Sequence, residues 1–135
     1  MRAVVQRVTR ASVTADGEAT GEISAGLVVL LGVTHDDTAD QARRLAAKIH
    51  TLRILRDEQS VADTGAGVIV VSQFTLYGDA SRGNRPSFTA AARPEVAEPL
   101  YERFADRLSA KRGVFGARMA VEVAGDGPVT LLIEA

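Results

Sequence analysis

The chain has 135 residues, of which 46% are hydrophobic and 24% charged, and its formal net charge is −1. This length suits a single domain over residues 1–135 with a sizeable core, while the balanced charge excludes a broadly basic nucleic-acid-binding surface, so any RNA contact must come from a local patch. The absence of cysteine excludes disulfides, thiolate nucleophiles and Cys-ligated zinc, and it is typical of a reducing cytoplasm.

The first third of the chain predicts antiparallel strands. Residues 2–9 and 11–15 are rich in β-forming residues, and Asp16-Gly17 indicates a tight hairpin turn, because both central positions of a type I′ turn need a positive φ. The apolar run 27–31, bounded by glycines, predicts a central strand buried on both faces. Because no apolar run is long enough to span a bilayer and no secretory segment opens the chain, we expect a cytoplasmic protein without membrane contact.

Two amphipathic helices are predicted. Asp37 or Thr38 can cap the first, whose apolar face repeats at three- and four-residue spacing through Ala42, Leu45, Ile49 and Leu52. Pro94 suits the first turn of the second, whose apolar face repeats every four residues through Val96, Leu100, Phe104 and Leu108.

The remaining segments predict further strands. Residues 68–71 form a second buried strand, and residues 78–93 read as a loop. Residues 117–124 and 129–133 predict strands, separated by a turn at 125–127. The fold class is therefore α/β: a single domain with a mainly antiparallel or barrel-like sheet packed against two α-helices.

Polar residues close the strand at 68–71, and they are the first candidate catalytic group: Ser72, Gln73, Phe74 and Thr75. They could simply be the polar end of a buried strand. Alternatively, the side chains are fixed hydrogen-bond partners and the backbone N–H groups stabilise a developing oxyanion. A covalent role for Thr75 would need a paired base, and neither His35 nor His50 has a sequence context that ties it to Thr75.

A second candidate group, Gly127, Pro128 and Thr130, lies near the C-terminus. The peptide bond before proline is the one bond that can be cis at modest cost, roughly 0.5–1 kcal/mol, and a cis bond turns two carbonyl groups the same way. An ordinary trans turn is the alternative.

The loop at 78–93 contains a local basic patch. Arg82 and Arg85 could bind phosphate through charge-assisted contacts, or they could lie in a solvated loop. His35 precedes two aspartates, but one imidazole does not supply the ligands that a metal requires, so we assign no metal site.

These motifs, in this order and at this spacing, resemble the D-aminoacyl-tRNA deacylase family, also called D-tyrosyl-tRNA deacylases. The resemblance covers nearly the whole chain and rests on residues 1–8 and 11–13, 72–77 (Ser-Gln-Phe-Thr-Leu-Tyr), 85–89 (Arg-Pro-Ser-Phe-Thr), 99–101 (Pro-Leu-Tyr) and 127–130 (Gly-Pro-Val-Thr). It implies a homodimer that hydrolyses the ester between a D-amino acid, or glycine mischarged on tRNA-Ala, and the 3′-terminal adenosine of tRNA. It implies no metal and no cofactor.

The resemblance also implies roles for individual residues. In this family the Gly-Pro bond is cis and reaches into the active site of the other subunit, so the carbonyl groups of Gly127 and Pro128 would lie where an L side chain must sit. The backbone around Phe74 and Thr75 would hold the scissile carbonyl, and the ribose 2′-hydroxyl of the tRNA would assist attack by water. Arg7 would brace the Gly-Pro motif.

This chain departs from the family in three places. Gly125 replaces an asparagine, which removes a side chain able to brace the turn and should leave the loop more mobile. Segments 58–67 and 111–115 are short, the first apparently without a small strand or hairpin. Two rival functions therefore stay open: an RNA-binding module that has lost the chemistry, and an ordinary hydrolase with Thr75 as the nucleophile.

Overall fold

The strands form one mixed, barrel-like sheet, and three α-helices accompany it. The computed structural model describes every residue from 1 to 135. The strands are β1 (Arg2–Ala15), β2 (Glu18–Ile23), β3 (Gly26–Gly32), β4 (Gly67–Ser72), β5 (Lys111–Arg112) and β6 (Met119–Glu134). The helices are α1 (Ala39–Thr51), α2 (Val61–Thr64) and α3 (Pro94–Arg107), with 3₁₀-helices at Arg56–Glu58 and Phe74–Tyr77. No helix is both long and apolar enough to cross a membrane.

Strand β1 organises the sheet because three strands pair with it. Its first half lies antiparallel to β3, its second half antiparallel to β2, and β6 runs antiparallel along its other edge. β3 then pairs in parallel with β4, and β4 with β5. β2 approaches β5 so closely that a Cβ added at Gly21 would lie 3.1 Å from Lys111 Cβ. The sheet therefore curls into a nearly closed barrel.

The hydrophobic core has two parts. The larger one has 21 buried residues and packs α1 and α3 on one face of the sheet. The smaller one fills the barrel, with Val8, Val13 and Ile69 among its residues. All of β3 except the half-buried Leu30 is buried, which confirms that it is a central strand.

The predicted α/β class is confirmed, and several details of the elements differ. Thr38 caps α1, accepting a hydrogen bond from the N–H of Asp40. The prediction that Val96 faces the core is wrong: its side chain is 44% exposed, and Ala97 lies inward instead. A third helix, the single turn α2, occupies the short segment before β4, because Ser60 and Asp63 cap it reciprocally.

The predicted turn at 125–127 is also wrong, because β6 continues through these residues. Gln6 pairs with Thr130 and Val8 pairs with Gly125, so residues 126–129 lie opposite the single residue Arg7. Extra residues on one strand of an antiparallel pair force that strand to bulge. The Gly-Pro motif therefore lies on a bulge, with the strand paired on both sides of it.

Candidate active site

The first candidate group lies where β4 ends. The strand stops at Ser72, and residues 74–77 form a 3₁₀-helix. The N–H of Gln73 donates to the carbonyl oxygen of Leu31 at 2.7 Å, which ties the turn to β3. The Gln73 side-chain amide donates to the Thr75 hydroxyl.

The backbone of this turn offers two free donors. The first residues of a helix have N–H groups without an intrahelical acceptor, and this holds for Phe74 and Thr75. Neither N–H donates to the surrounding loops. Both residues are exposed. This arrangement can hold an anionic oxygen with backbone donors alone.

The same residues stand beside a pocket with a volume of about 590 Å³. Its walls are mainly apolar and come from the end of β4, the loop before α3, the first turns of α3 and the start of β6. Phe74 and Phe88 pack edge to face, with ring centroids 5.2 Å apart. The residues that line it include Ser72, Gln73, Phe74, Phe88, Ala97 and Met119.

Arg2 fastens the far end of the 3₁₀-helix. Its Nη1 donates to the Leu76 carbonyl oxygen at 2.9 Å, and its guanidinium lies 4.5 Å from the centre of the Tyr77 ring. Burial, together with the charge of Asp37, raises the pKa of Tyr77 to about 12, so its hydroxyl stays neutral at physiological pH. No local pattern in the sequence points to Arg2, because only the fold brings the start of β1 beside this turn.

The second candidate group is held by Arg7. The Gly127-Pro128 bond is cis, as predicted, and Gly127 has a φ of +118°. The Nε of Arg7 donates to the Asp126 carbonyl oxygen at 3.1 Å, and its Nη1 donates to the Ile54 carbonyl oxygen at 3.0 Å. A Cβ added at Gly127 would lie 2.9 Å from Arg7 Nη2. Arg7 therefore packs directly against the motif.

Asp126 adds a brace that the sequence analysis did not identify. Its carboxylate forms an ion pair with Arg56 and lies 3.4 Å from Arg7 Nε. The hydrogen bond from Arg56, supported by the charge of Arg7, lowers the pKa of the Asp126 carboxyl group. Arg56 and Asp126 are 70 residues apart in the chain, so no local pattern signals the pair.

The two candidate groups do not meet within one chain. Ser72 of β4 pairs with Leu31 of β3, and Leu31 pairs with Ala3 of β1. The bulge, in contrast, lies opposite Arg7 of β1. Four residues of strand separate these positions, which corresponds to about 13 Å. Thr130 lies in the paired part of β6, with its Oγ1 3.5 Å from Gln6 Nε2.

The basic patch is exposed and separate from the pocket. Arg82 and Arg85 lie in a loop closed by two backbone hydrogen bonds between Asp79 and Ser87, of 2.7 and 2.8 Å. His35 Nε2 lies 2.6 Å from the Thr89 carbonyl oxygen, and His50 lines a cleft at the other end of β4. No base is therefore hydrogen-bonded to Thr75. No three or more His, Asp or Glu side chains cluster in a way that could hold a metal ion.

Comparison with known proteins supports the resemblance. The family model described as D-Tyr-tRNA(Tyr) deacylase matches residues 4–134. Proteins named D-aminoacyl-tRNA deacylase from Acidothermus cellulolyticus and Deinococcus radiodurans are 59% and 54% identical to this chain, and each match covers 99% of both sequences.

Two solved structures have the same fold as this chain. The c-Myc DNA Unwinding Element Binding Protein matches with a TM-score of 0.92 at 42% identity, over 100% of this chain and 99% of that chain. A probable eukaryotic D-amino acid tRNA deacylase matches with a TM-score of 0.87 at 16% identity, over 99% and 98% of the chains, which shows a shared fold. The full-length match and the high identity to its relatives show that the chain belongs to the D-Tyr-tRNA(Tyr) deacylase family, a family of enzymes.

Proposed function

We propose that this protein hydrolyses the ester bond of D-aminoacyl-tRNA and releases the free D-amino acid and the tRNA. The observation that carries the proposal is the pair of free backbone N–H groups at Phe74 and Thr75, beside the apolar pocket. The names of the relatives from Acidothermus cellulolyticus and Deinococcus radiodurans support the substrate class.

The chemistry needs little from side chains. Water adds to the ester carbonyl carbon, the carbonyl oxygen becomes an oxyanion, and the ribose 3′-oxygen leaves with a proton. Preorganised N–H donors contribute roughly 2.7–4 kcal/mol each to such a transition state. The 2′-hydroxyl of the tRNA assists the water, so the enzyme has no need of a base of its own beside Thr75.

The apolar pocket suits the terminal adenine. The rings of Phe74 and Phe88 form part of its wall. Stacking of a base on an aromatic side chain contributes about 1–3 kcal/mol, and the terminal base is common to all tRNA substrates. A site that binds this base and the ester backbone would accept many amino acids.

Chirality is read by Gly127 and Pro128 of a second subunit. Both residues are exposed on the bulge of β6, and their offset of about 13 Å along the strands from their own chain's Ser72 supports action in trans. Their carbonyl groups would occupy the space that an L side chain requires. Glycine has no Cβ, so glycyl-tRNA mischarged on tRNA-Ala would also be cleaved.

Strand β6 supports the homodimer. Only one of its edges is paired, with β1, and its exposed side chains include Leu131 and Leu132, the latter 61% exposed. Unpaired strand edges and apolar patches are features of association surfaces. Because its substrate is charged tRNA, we expect the enzyme to act in the cytoplasm.

A direct test compares D-tyrosyl-tRNA with L-tyrosyl-tRNA. We expect rapid loss of the D ester and survival of the L ester, measured by release of labelled tyrosine, with spontaneous hydrolysis as the control. Equal rates for the two esters would contradict the proposal.

A nucleic-acid-binding protein without this activity is the second candidate. It is favoured by the exposed Arg82 and Arg85 and by the similarity to a DNA unwinding element binding protein. Binding of D-tyrosyl-tRNA without any loss of the ester would support it.

A further inference from the structure

We propose that the ion pair between Asp126 and Arg56 holds Gly127 in position and thereby sets the preference of the enzyme for D over L esters. This inference rests on the proposed function, since it assigns a positioning role beside the proposed chirality filter. It concerns two residues that the motif itself does not include.

Asp126 is held by two contacts, one through its backbone and one through its side chain. Its carbonyl oxygen accepts from Arg7 Nε at 3.1 Å, and its carboxylate pairs with Arg56. The Asp126 and Arg7 side chains are only 15% and 14% exposed, so solvent screens the contact between these two residues less than it would at the surface, whereas the Arg56 side chain is 71% exposed. The lowered pKa of the Asp126 carboxyl group is consistent with this arrangement.

Both contacts lead to the same segment, residues 54–56. Arg7 Nη1 donates to the Ile54 carbonyl oxygen at 3.0 Å. Arg56, whose side chain pairs with Asp126, is the first residue of the 3₁₀-helix at Arg56–Glu58. A hydrogen bond of 3.0 Å from Leu55 N to the Gln59 carbonyl oxygen closes this turn. The bulge is thus tied to a second, closed loop of the chain.

No other residue of the bulge has a side chain that could form an ion pair or a hydrogen bond. Residues 125–129 are Gly-Asp-Gly-Pro-Val, so Asp126 has the only polar side chain among them. Gly125 has open space where its Cβ would be. The side-chain brace within this segment therefore comes from Asp126, the immediate neighbour of Gly127.

The experiment uses the full-length protein and measures kcat/KM for D- and L-tyrosyl-tRNA. The variants are Asp126→Asn, Arg56→Ala, the double variant, and Arg56→Lys, which keeps the charge. Arg53→Ala is the matched control, because Arg53 has the same 71% side-chain exposure as Arg56 but faces Glu58, at 3.8 Å. Circular dichroism and thermal unfolding establish that each variant is folded.

We expect each single variant to lower the D-over-L ratio about tenfold, since displacement of a positioned group by about 1 Å can cost on the order of a hundredfold in rate. The double variant should lose no more than either single one, because the two residues act as a unit. Arg56→Lys should restore most of the ratio, and Arg53→Ala should leave it unchanged.

The outcomes separate this inference from the function on which it rests. Full selectivity in folded Asp126→Asn and Arg56→Ala overturns the role of the ion pair and leaves the deacylase function intact. The absence of any preference for the D ester in the unchanged protein overturns the proposed function itself.

Discussion

At the scale of single residues, Gly127 is constrained both by its backbone conformation and by its neighbours. Its φ of +118° lies in a region that L residues rarely adopt, and an added Cβ would meet Arg7 Nη2 at 2.9 Å and Val129 Cγ2 at 3.1 Å. Replacement would strain the backbone and push Arg7 away from the bulge. Position 127 therefore connects backbone geometry directly to the proposed filter.

We predict that Gly127→Ala lowers kcat/KM for D-tyrosyl-tRNA about a hundredfold, because a misplacement of about 1 Å in a site can cost that much. The strained φ should cost on the order of 1–3 kcal/mol of unfolding free energy, measured by urea denaturation. Gly125→Ala is the control, because it has nothing within 4 Å of the added Cβ and should change neither quantity appreciably. Equal effects at both positions would argue against a special role for Gly127.

The effect of substituting Thr75 distinguishes catalysis by backbone N–H groups from covalent catalysis by the Thr75 hydroxyl. Its hydroxyl accepts from Gln73, and no base is bonded to it. Loss of a covalent nucleophile costs on the order of 10⁶-fold in kcat, whereas we expect Thr75→Ala to cost less than about tenfold. Single-turnover assays measure this, with Thr75→Ser as the control. An acyl-enzyme trapped on the unchanged protein would contradict the prediction.

At the scale of elements, the 3₁₀-helix at Phe74–Tyr77 and the loop that follows it differ in how firmly they are held and in their charge. The helix is tied to β3 through Gln73 and to β1 through Arg2, which gives its free N–H groups a defined direction. The loop carries exposed cations, and the bridge between Asp79 and Ser87 closes the part that contains them. A rigid turn suits the ester, and an exposed basic loop suits the tRNA backbone.

We predict that Arg82→Ala combined with Arg85→Ala weakens tRNA binding and reduces its dependence on salt. Each lost phosphate contact should lower the slope of log K against log salt by about 0.7–0.9, because fewer counterions are released. Filter binding over a range of salt concentrations measures the slope. Arg103→Ala on α3 is the control, since Arg103 is exposed and its loss should leave the slope unchanged. An unchanged slope in the double variant would remove this loop from the RNA-binding surface.

At the scale of the whole molecule, the question is what covers β6. Leu132 pairs with Val4 on the face of the sheet opposite to the helices, and its side chain is 61% exposed. The Gly-Pro bulge lies on the same strand. One association surface along β6 would therefore bury the apolar side chains and deliver the motif to a second subunit.

We predict that Leu132→Lys weakens dimerisation by about 2 kcal/mol or more, as loss of a central interface residue does. Hydrolysis of D-tyrosyl-tRNA should fall together with the dimer fraction, measured by sedimentation equilibrium. Val96→Lys is the control, because Val96 is 44% exposed on α3 and should leave the dimer intact. A fully active monomer would contradict action in trans.

Much of the fold could be predicted from local patterns. The hairpin at Asp16-Gly17, the buried strand β3 and the starts of α1 and α3 follow from short-range signals, and the structure confirms them. The sequence predicts that Val96 faces the core, because a four-residue spacing of apolar residues identifies one face of a helix. The spacing does not show which residues lie at the centre of that face. The packing of α3 on the sheet turns that face towards Ala97, Leu100, Tyr101 and Phe104.

The candidate site was predictable only in part, for a related reason. The motif residues could be identified because their order along the chain is characteristic, whereas Arg2, Arg56 and Asp126 could not. These three act through partners 70 or more residues away. The Gly-Asp-Gly segment looked like a turn, because glycine favours turns when no strand partner is considered.

The sequence by itself determined the buried strands β3 and β4, the helices α1 and α3, the family and the two motifs, because hydrophobic period, turn chemistry and motif spacing are read directly from the chain. Only the tertiary structure decided that the Gly-Pro motif lies on a bulge opposite Arg7, that Asp126 and Arg56 brace it, and that it is offset from Ser72 by about 13 Å along the strands. The physical reason is the register of β1. Because β1 pairs with both β3 and β6, its register determines which residues of these two distant strands lie opposite each other and which are offset along the sheet.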